Sequence, residues 1–458
     1  MPIVLPFRAV RPAGASDPSA RLSPPYDVIA PDERVRLAKD PHNAVHLELP
    51  ESHAGARTLL DAWMAGGALV RDAKPSFYAY EQKFTHAKRE YVRRGFFGLL
   101  ELKPFGEGGV FAHEKTLDAP KEDRFRLLEA TRTNLSPVFV LYEDDQGAVR
   151  SAADAARARK PLARAKTAEG EEALWAIDDA DSDTIARTLR QQGLVFADGH
   201  HRYESALRYR DQRRAQEPDA PYPQAYDFML ACFVEAADPG LLVLPTHRVV
   251  RGLEPFTMAD LAAKLDGTFR LEGLGDCTDP SCAAWRAEAF LTNHPAGAFV
   301  AVTAHERVLS GFILDSREKA FAGKNVPAPL QGLDVVQLHE LVLNDALGIT
   351  PEKLSAQSHV EYVKSMEAAI RTARGNGAGA VAGAAGALQP NAAFLMNATP
   401  VPQVLEVARA NLRMPQKSTY FLPKITTGWT FHVHDSPSQV WGEGAAARSW
   451  WPAQVASA

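Results

Sequence analysis

The segment GLVFADGHHRYESALRYRD constrains the fold of this chain more than any other part of the sequence. The apolar run from Leu194 to Ala197 is typical of a buried strand. After it, Tyr203, Ala206 and Leu207 have the spacing of one helical face. A strand that passes into a helix through one glycine, Gly199, is typical of proteins that mix helices and strands. We therefore predict an α/β (mixed α+β) fold.

The polar residues at that turn indicate an anion site. Gly199 allows a tight turn, and the first turn of the following helix has unpaired N–H groups that attract anions. His200, His201 and Arg202 add donors suited to phosphate, and Asp198 could hold Mg²⁺ or orient an attacking hydroxyl. A helix cap formed by Asp198, with both histidines bonded to the backbone, is the structural alternative. Because one residue would cap the helix adequately, we favour a functional site.

The chain has 458 residues, which exceeds one typical core and predicts several domains. Strand-like runs dominate the N-terminal α/β segment, 1–100, and two of them, SFYAYEQKF and YVRRGFFGLLEL, are predicted to be paired strands. A core domain, 101–251, contains the densest chemistry, and a C-terminal α/β domain, 252–458, completes the chain. The Gly/Ala stretch from Gly375 to Gly386 is predicted to be a flexible loop.

Composition excludes several classes of protein. The net charge of −5 argues against nucleic acid as the main partner. No secretion signal or membrane span is expected, because the N-terminal pattern and the apolar runs do not fit either one. The three cysteines predict a reducing, cytoplasmic location, and we interpret Cys277 and Cys282 as free thiols in a surface loop.

A second charged cluster, His113-Glu114-Lys115-Thr116, follows the apolar pair Val110 and Phe111. Glu114 is our candidate general base, since a carboxylate within reach of a hydroxyl can deprotonate it. His113 and Thr116 are candidate nucleotide ligands. A helix start or a surface salt bridge is the alternative interpretation. The HEKTL segment lacks the second histidine of a zinc protease.

The third cluster, MPQKSTYFLPK, contains two lysines and two hydroxyl side chains that could bind nucleotide phosphates. The candidates are Lys417, Ser418, Thr419 and Lys424. The cluster lacks the glycines of a P-loop, so any phosphate binding would depend on side chains. A turn that enters a strand explains the segment equally well.

Together, PPYDVI, HEKT with PKEDR, ADGHHRYESAL and MPQKSTYFLPK resemble, in this order, the family known as domain of unknown function 1015. The resemblance extends over nearly the whole chain but implies no activity. The DGHHR element also resembles the ParB-like superfamily, which includes partition proteins, sulfiredoxins and free-serine kinases. That second resemblance is local, and it implies a ParB-like nucleotide-binding core around DGHHR.

Free-serine kinases carry the same DGHHR pattern. The resemblance implies that Asp198 is catalytic, that His200 and His201 act beside it, and that Gly199 and Arg202 bind phosphate. It also implies an upstream glutamate as base, for which Glu114 is the match and Glu48 or Asp123 is the alternative. Sulfiredoxin chemistry is not expected, because His200 stands where those proteins have a cysteine.

These observations predict a small-molecule kinase. It would move a phosphoryl group from ATP or ADP, with Mg²⁺ held by Asp198, to the hydroxyl of free L-serine or a similar metabolite. A ParB-like nucleotide-binding switch without turnover and a phosphoester hydrolase are the alternatives. The sequence leaves the acceptor, the choice between ATP and ADP and the oligomeric state open, and a homodimer is compatible with it.

Overall fold

The computed structural model describes residues 1–14, 17–115, 118–304, 306, 308–356, 358–375, 388–445 and 448–451. The chain divides into two compact units. Unit 1 comprises Met1–Ala112, Thr116–Leu242 and Pro423–Ala458, and unit 2 comprises His113–Lys115 and Val243–Leu422. Both units are discontinuous in sequence, whereas the predicted domains 1–100, 101–251 and 252–458 are contiguous. That three-part division stays a prediction.

Unit 1 is built on a mixed sheet. Among the described residues it has nine strands, which are, from one edge to the other, Val110–Phe111, Leu194–Asp198, Val138–Tyr142, Phe228–Glu235, Arg89–Glu101, Tyr78–His86, Gly170–Ala176 and Ala163–Thr167, with Val4–Leu5 paired to Arg89–Glu101. The central strand Phe228–Glu235 is buried along its whole length, because it pairs on both sides and is covered on both faces.

The predicted strands in SFYAYEQKF and YVRRGFFGLLEL form a hairpin, which confirms that prediction. Its turn residues, Ala87 and Lys88, both have positive φ angles, of 47° and 65°. Positive φ at both turn positions matches the right-handed twist of the paired strands. The turn therefore forms without a glycine. Both strands of the hairpin lie inside the sheet, with neighbours on either side.

Helices and short strand pairs complete unit 1. The strand pairs are Val10–Pro12 with Leu69–Arg71, and Thr133–Asn134 with His432–Val433. The α-helices are Pro31–Leu37, Val45–Glu48, His53–Ala65, Asp118–Thr131, Ala148–Arg157, Asp179–Leu189, His200–Gln216 and Pro437–Trp441. Short 3-10 turns are Ser19–Arg21, Tyr26–Val28 and Ala225–Asp227. A core that includes Leu60, Trp63 and Leu127 packs these helices together.

Unit 2 contains a six-stranded sheet within the described ranges, with the spatial order Phe269–Asp276, Val308–Leu314, Ala298–Thr303, Pro390–Met396, His247–Arg251 and Val360–Val363. A two-stranded pair consists of Leu242–Leu244 and Tyr420–Leu422. The α-helices are Met258–Leu265, Pro280–Asn293, Arg317–Ala320, Ala328–Gln331, Asp334–Gln337, Pro351–Ser355, Met366–Ala373 and Val401–Arg409. A π-helical segment, Leu338–Ala346, continues the helix Asp334–Gln337.

The mixed α/β class is confirmed in both units. The ParB-like arrangement of the core stays a prediction. The prediction of two free thiols is wrong, because Cys277 and Cys282 form a disulfide with a Cα–Cα distance of 6.4 Å. The bend between a strand and the helix Pro280–Asn293 brings the two sulfur atoms together.

Most of the Gly/Ala stretch, 376–386, lies outside the described residues, so its loop prediction is not tested. Over the ranges that the structure describes, we find no helix with the length and apolar character that crossing a bilayer requires.

Candidate functional site

The DGHHR element lies where a buried strand of unit 1 ends and a long helix begins. Leu194–Asp198 pairs antiparallel with Val138–Tyr142 and parallel with Val110–Phe111. After Gly199, the helix His200–Gln216 starts at once. The predicted strand, glycine turn and helix are confirmed. This connection places five consecutive polar or glycine residues at the edge of the sheet.

The backbone angle at position 199 and the space beside it both require a glycine. Its φ of 89° lies in the left-handed region, and a Cβ atom there would stand 2.8 Å from Val138 Cγ1. No side chain in the described part of the chain caps the helix that follows. The N–H groups of its first turn are therefore directed to a position where an anion can accept them.

Asp198 is paired with two cations. Its Oδ2 lies 3.2 Å from Lys424 Nζ and 3.6 Å from an Arg202 guanidinium nitrogen. Burial alone would raise the pKa of Asp198, but Lys424 first and Arg202 second outweigh burial and hold the pKa well below its usual range. The carboxylate is therefore ionised at any physiological pH, although only 23% of the side chain is exposed.

Arg202 connects the turn to the neighbouring strand. One guanidinium nitrogen donates to Ser136 Oγ at 3.0 Å and to the Pro137 carbonyl at 2.6 Å. Because these two residues directly precede the strand Val138–Tyr142, Arg202 holds the strand entrance against the DGHHR turn. Its other terminal nitrogen faces Asp198, so the predicted phosphate ligand also has a clear structural role.

The two histidines differ in environment. His200 is buried, and its ring lies near the rings of Phe105 and Phe196, at centroid distances of 6.0 and 5.8 Å. His201 is half-buried, and its carbonyl accepts a hydrogen bond from Ser205 Oγ. Their catalytic assignment stays a prediction.

Lys424 reaches Asp198 because strands of unit 1 hold its backbone. The Lys424 carbonyl accepts from Gln82 Nε2 at 3.2 Å, and the Pro423 carbonyl accepts from Arg93 at 2.6 Å. We use the name Asp198 cluster for Asp198, Gly199, His200, His201, Arg202 and Lys424. These residues, all predicted from the sequence, belong to one unit.

The remaining candidates belong to unit 2. Glu114 forms an isolated parallel bridge with Met414, and its Oε1 accepts the Lys417 N–H at 2.7 Å. Burial lowers the pKa of Arg248 to about 10, and the nearby charges of Tyr362 and Glu114 oppose that decrease. Glu114 therefore lies within the electrostatic field of a buried guanidinium.

The KST residues are engaged in contacts within unit 2. Ser418 Oγ donates to the Pro415 carbonyl, and Thr419 Oγ1 lies 2.9 Å from His113 Nε2. Lys417 is exposed and has a φ of 58°. We use the name Glu114 cluster for His113, Glu114, Lys417, Ser418 and Thr419. Its nucleotide-binding assignment stays a prediction, and Thr116 lies outside the described residues.

The described ranges contain no group of three or more His, Cys, Asp or Glu side chains that could hold a metal ion. Both cation contacts of Asp198 use Oδ2. A magnesium ion at Asp198 would therefore need other ligands from bound phosphates and water, as is usual for Mg²⁺.

Sequence analysis missed two residues that shape these clusters. Ser136 positions Arg202, and Arg248 donates to the Lys417 carbonyl at 3.1 Å. Ser136 had a signal, because it lies in the mostly polar segment TRTNLSP that precedes the apolar strand Val138–Tyr142. Arg248 had no such signal, since a charged residue at a strand start is usually exposed.

No curated protein matches this sequence. Solved structures that resemble it include a conserved hypothetical protein from Pyrococcus furiosus, with 13% identity, a TM-score of 0.32 and coverage of 72% of this chain and 92% of that one. A free serine kinase in complex with ADP has 12% identity, a TM-score of 0.33 and coverage of 71% and 87%. SbnI from Staphylococcus aureus, with a C-terminal truncation, has 10% identity, a TM-score of 0.32 and coverage of 75% and 92%. Similarity at this level transfers no activity to this chain.

A family model gives the broader match. It describes a protein of unknown function, DUF1015, and matches residues 4–336, well over half of the chain. The matched range contains both the HEKT segment and the DGHHR turn, whereas the MPQKSTYFLPK segment follows it. The chain therefore belongs to the DUF1015 family.

Proposed function

We propose that this protein is a small-molecule kinase that transfers a phosphoryl group from ATP or ADP to the hydroxyl of free L-serine or a similar metabolite. The observation that carries the proposal is the Asp198 cluster. It combines an ionised carboxylate, two cations and the start of a helix whose N-cap residue is a glycine. Phosphoryl transfer depends mainly on such positioning and charge stabilisation.

Each member of the cluster has a role that fits its contacts. The first-turn N–H groups after Gly199 would bind phosphate oxygens, with Lys424 and Arg202 balancing the negative charge that builds up during transfer. His200 and His201 would add donors at the same turn. Asp198 keeps both cations in place, and it would also hold Mg²⁺ brought by the nucleotide.

The proposed reaction is a single displacement. The acceptor oxygen forms a bond to the terminal phosphorus of the nucleotide, and the bond from that phosphorus to the bridging oxygen breaks. The acceptor proton passes to a carboxylate base, for which Glu114 is proposed. Within the Glu114 cluster, Lys417, Ser418, Thr419 and His113 are proposed to contact the nucleotide. The support for Glu114 is its position near the buried Arg248 guanidinium and the HEKT motif that contains it.

Phosphorus NMR of the full chain with Mg²⁺, L-serine and either ATP or ADP tests the proposal. We expect a phosphoserine signal whose rate of appearance falls by roughly 10²–10³-fold in an Asp198→Asn variant, because the variant removes the charge that holds both cations. Asp211→Asn is the matched control, since Asp211 lies exposed on the same helix.

Three outcomes contradict parts of the proposal. Phosphoserine formation that is equal in the Asp198→Asn variant would remove the Asp198 cluster from catalysis. Nucleotide binding without any phosphorylated product would favour the nucleotide switch, and release of inorganic phosphate alone would favour phosphoester hydrolysis.

A further inference from the structure

Unit 1 contains a cleft beside the Asp198 cluster. The empty space between its lining residues, including the part that is open to solvent, is about 370 Å³. Its lining combines polar side chains with the apolar side chains of Leu127, Leu128 and Met229. Arg202 lines this cleft and also pairs with Asp198, so one guanidinium separates the cleft from the candidate phosphate site.

Glu48 lies in the wall of this cleft, at the end of the short helix Val45–Glu48. The residue is only 2% exposed. Its Oε2 lies 3.3 Å from an Arg124 guanidinium nitrogen. Its Oε1 is buried and has no hydrogen-bond partner among the residues that the structure describes. A buried carboxylate oxygen without a donor costs free energy, which a donor on a ligand would recover.

Arg124 cannot neutralise Glu48 fully. Its Nε donates to Asp123 at 2.9 Å, and a second guanidinium nitrogen also pairs with Asp123. Its positive charge is therefore shared between two carboxylates, while its guanidinium lies 4.1 Å from the centre of the Tyr26 ring. Glu48 Oε1 therefore still lacks a donor among the residues described, and an ammonium N–H forms a stronger hydrogen bond to a carboxylate oxygen than a neutral donor does.

The other polar wall residues fit the rest of a small amino acid. Ser136 Oγ accepts a hydrogen bond from Arg202, so the hydroxyl hydrogen of Ser136 points away from that guanidinium. Asn134 accepts the Leu230 N–H with Oδ1 at 3.0 Å, so its amide NH₂ group is directed away from that strand. Both groups can donate to a carboxylate or hydroxyl oxygen of the ligand.

We propose that this cleft, the Glu48 cleft, binds the ammonium group of a small amino acid or related primary amine, and that Glu48 is its ion-pair partner. The assignment of that amine as the phosphoryl acceptor rests on the proposed function. The binding itself does not, because it requires neither nucleotide nor turnover.

Equilibrium dialysis of the full chain with radiolabelled L-serine, in the absence of nucleotide, tests the Glu48 cleft. Unlabelled ethanolamine keeps the ammonium group and lacks the carboxylate, whereas L-glycerate keeps the carboxylate and replaces the ammonium group by a hydroxyl. We expect ethanolamine to displace L-serine, and L-glycerate to compete roughly tenfold or more weakly than unlabelled L-serine.

The matched variants are Glu48→Gln and Glu51→Gln. The first keeps the shape of the side chain and an acceptor for Arg124 but removes the charge, and the second changes an exposed carboxylate close by. We expect Glu48→Gln to weaken L-serine binding by roughly tenfold or more and Glu51→Gln to leave it unchanged. The competition experiment uses the unaltered chain, so it remains decisive if Glu48→Gln does not fold.

The outcomes separate this inference from the proposed function. Equal competition by L-glycerate and unlabelled L-serine, unchanged binding in a folded Glu48→Gln variant, or no binding of either amine at millimolar concentration overturns the Glu48 cleft. Glu48-dependent binding without phosphoserine formation supports the cleft while the kinase proposal fails. Phosphoserine formation with the same L-serine KM in Glu48→Gln supports the kinase and overturns the cleft.

Discussion

Asp198 shows how one side chain can remain charged in a nearly enclosed position. Burial opposes the ionised carboxylate, but the Lys424 ammonium group is 3.2 Å away and Arg202 adds a second positive charge. The two cations are in turn held by the carboxylate. Removing the carboxylate leaves both cations without this partner, and removing either cation leaves Asp198 with only one. Asp198, Lys424 and Arg202 therefore form one interdependent group of charges.

Substituting Gly199 tests whether the turn geometry positions that unit. Gly199→Ala would strain a φ of 89° and push Cβ into Val138, so we expect the free energy of unfolding to fall by roughly 2–4 kcal/mol. Gly147 is the matched control, because it also precedes a helix with positive φ but has no heavy atom within 4 Å of the added Cβ. Gly147→Ala should cost about 1 kcal/mol. Urea unfolding measures both changes, and equal losses would refute a steric role for Val138.

Sequence reasoning located the residues of the Asp198 cluster but not their pairing. The five residues of DGHHR are consecutive in the chain. The apolar run Leu194–Ala197 that precedes them is a local pattern that predicts a buried strand. Lys424 was predicted as a phosphate ligand from its own segment. Its ion pair with Asp198 has no local signature, because it depends on how distant parts of unit 1 pack.

At the scale of elements, the segment that carries Lys424 is fixed by buried polar groups on two strands. Glu172, on Gly170–Ala176, accepts from Thr426 Oγ1 and Trp429 Nε1, both at 2.6 Å. It also accepts from Tyr80 on Tyr78–His86, and burial followed by Glu172 keeps the pKa of that tyrosine well above its usual value. Glu172 is thus a positioning residue for the Lys424 segment.

Glu172→Gln replaces a group that only accepts by one that both accepts and donates. At least one of the buried donors of Thr426, Trp429 and Tyr80 would lose its partner, so we expect the free energy of unfolding to fall by about 1–3 kcal/mol. Through Lys424, the variant should also reduce kcat for phosphoserine formation. Glu171→Gln changes the exposed neighbouring carboxylate and should alter neither quantity. A loss of stability with unchanged kcat would limit Glu172 to a structural role.

The sequence predicted strands correctly where buried residues alternate with exposed ones along a segment, or where they follow one another without interruption. The hairpin strands and the strand before DGHHR follow that rule. Strand order did not follow from the sequence, because Phe228–Glu235 pairs with Val138–Tyr142 and Arg89–Glu101 through contacts between distant segments. The free-thiol prediction for Cys277 and Cys282 failed for a related reason, since spacing does not show whether a bend brings two sulfur atoms together.

At the scale of the whole molecule, both units contain buried histidines that resist protonation. Burial lowers the pKa of His247 to about 3 and that of His432 to about 4. Burial also lowers the pKa values of His339 and His434 well below their usual range. His247 and His339 belong to unit 2, whereas His432 and His434 belong to unit 1, so both units share the same sensitivity to acid.

This sensitivity has a defined sign. Because the folded pKa values lie below the usual 6.5, the unfolded chain binds protons between pH 6.5 and those values while the folded units do not. The free energy of unfolding should therefore fall as the pH decreases from about 6.5, by about 1.4 kcal/mol per pH unit for each such histidine.

His434→Phe should reduce that slope in unit 1 and raise stability at pH 7, since neither ring nitrogen of His434 has a hydrogen-bond partner among the described residues. Urea unfolding at pH 7.5, 6.5 and 5.5 (about one unit apart) measures the slope, with His86→Phe as the control at the end of the hairpin. An unchanged slope in His434→Phe would show that His434 takes up its proton in the folded unit as readily as in the unfolded chain.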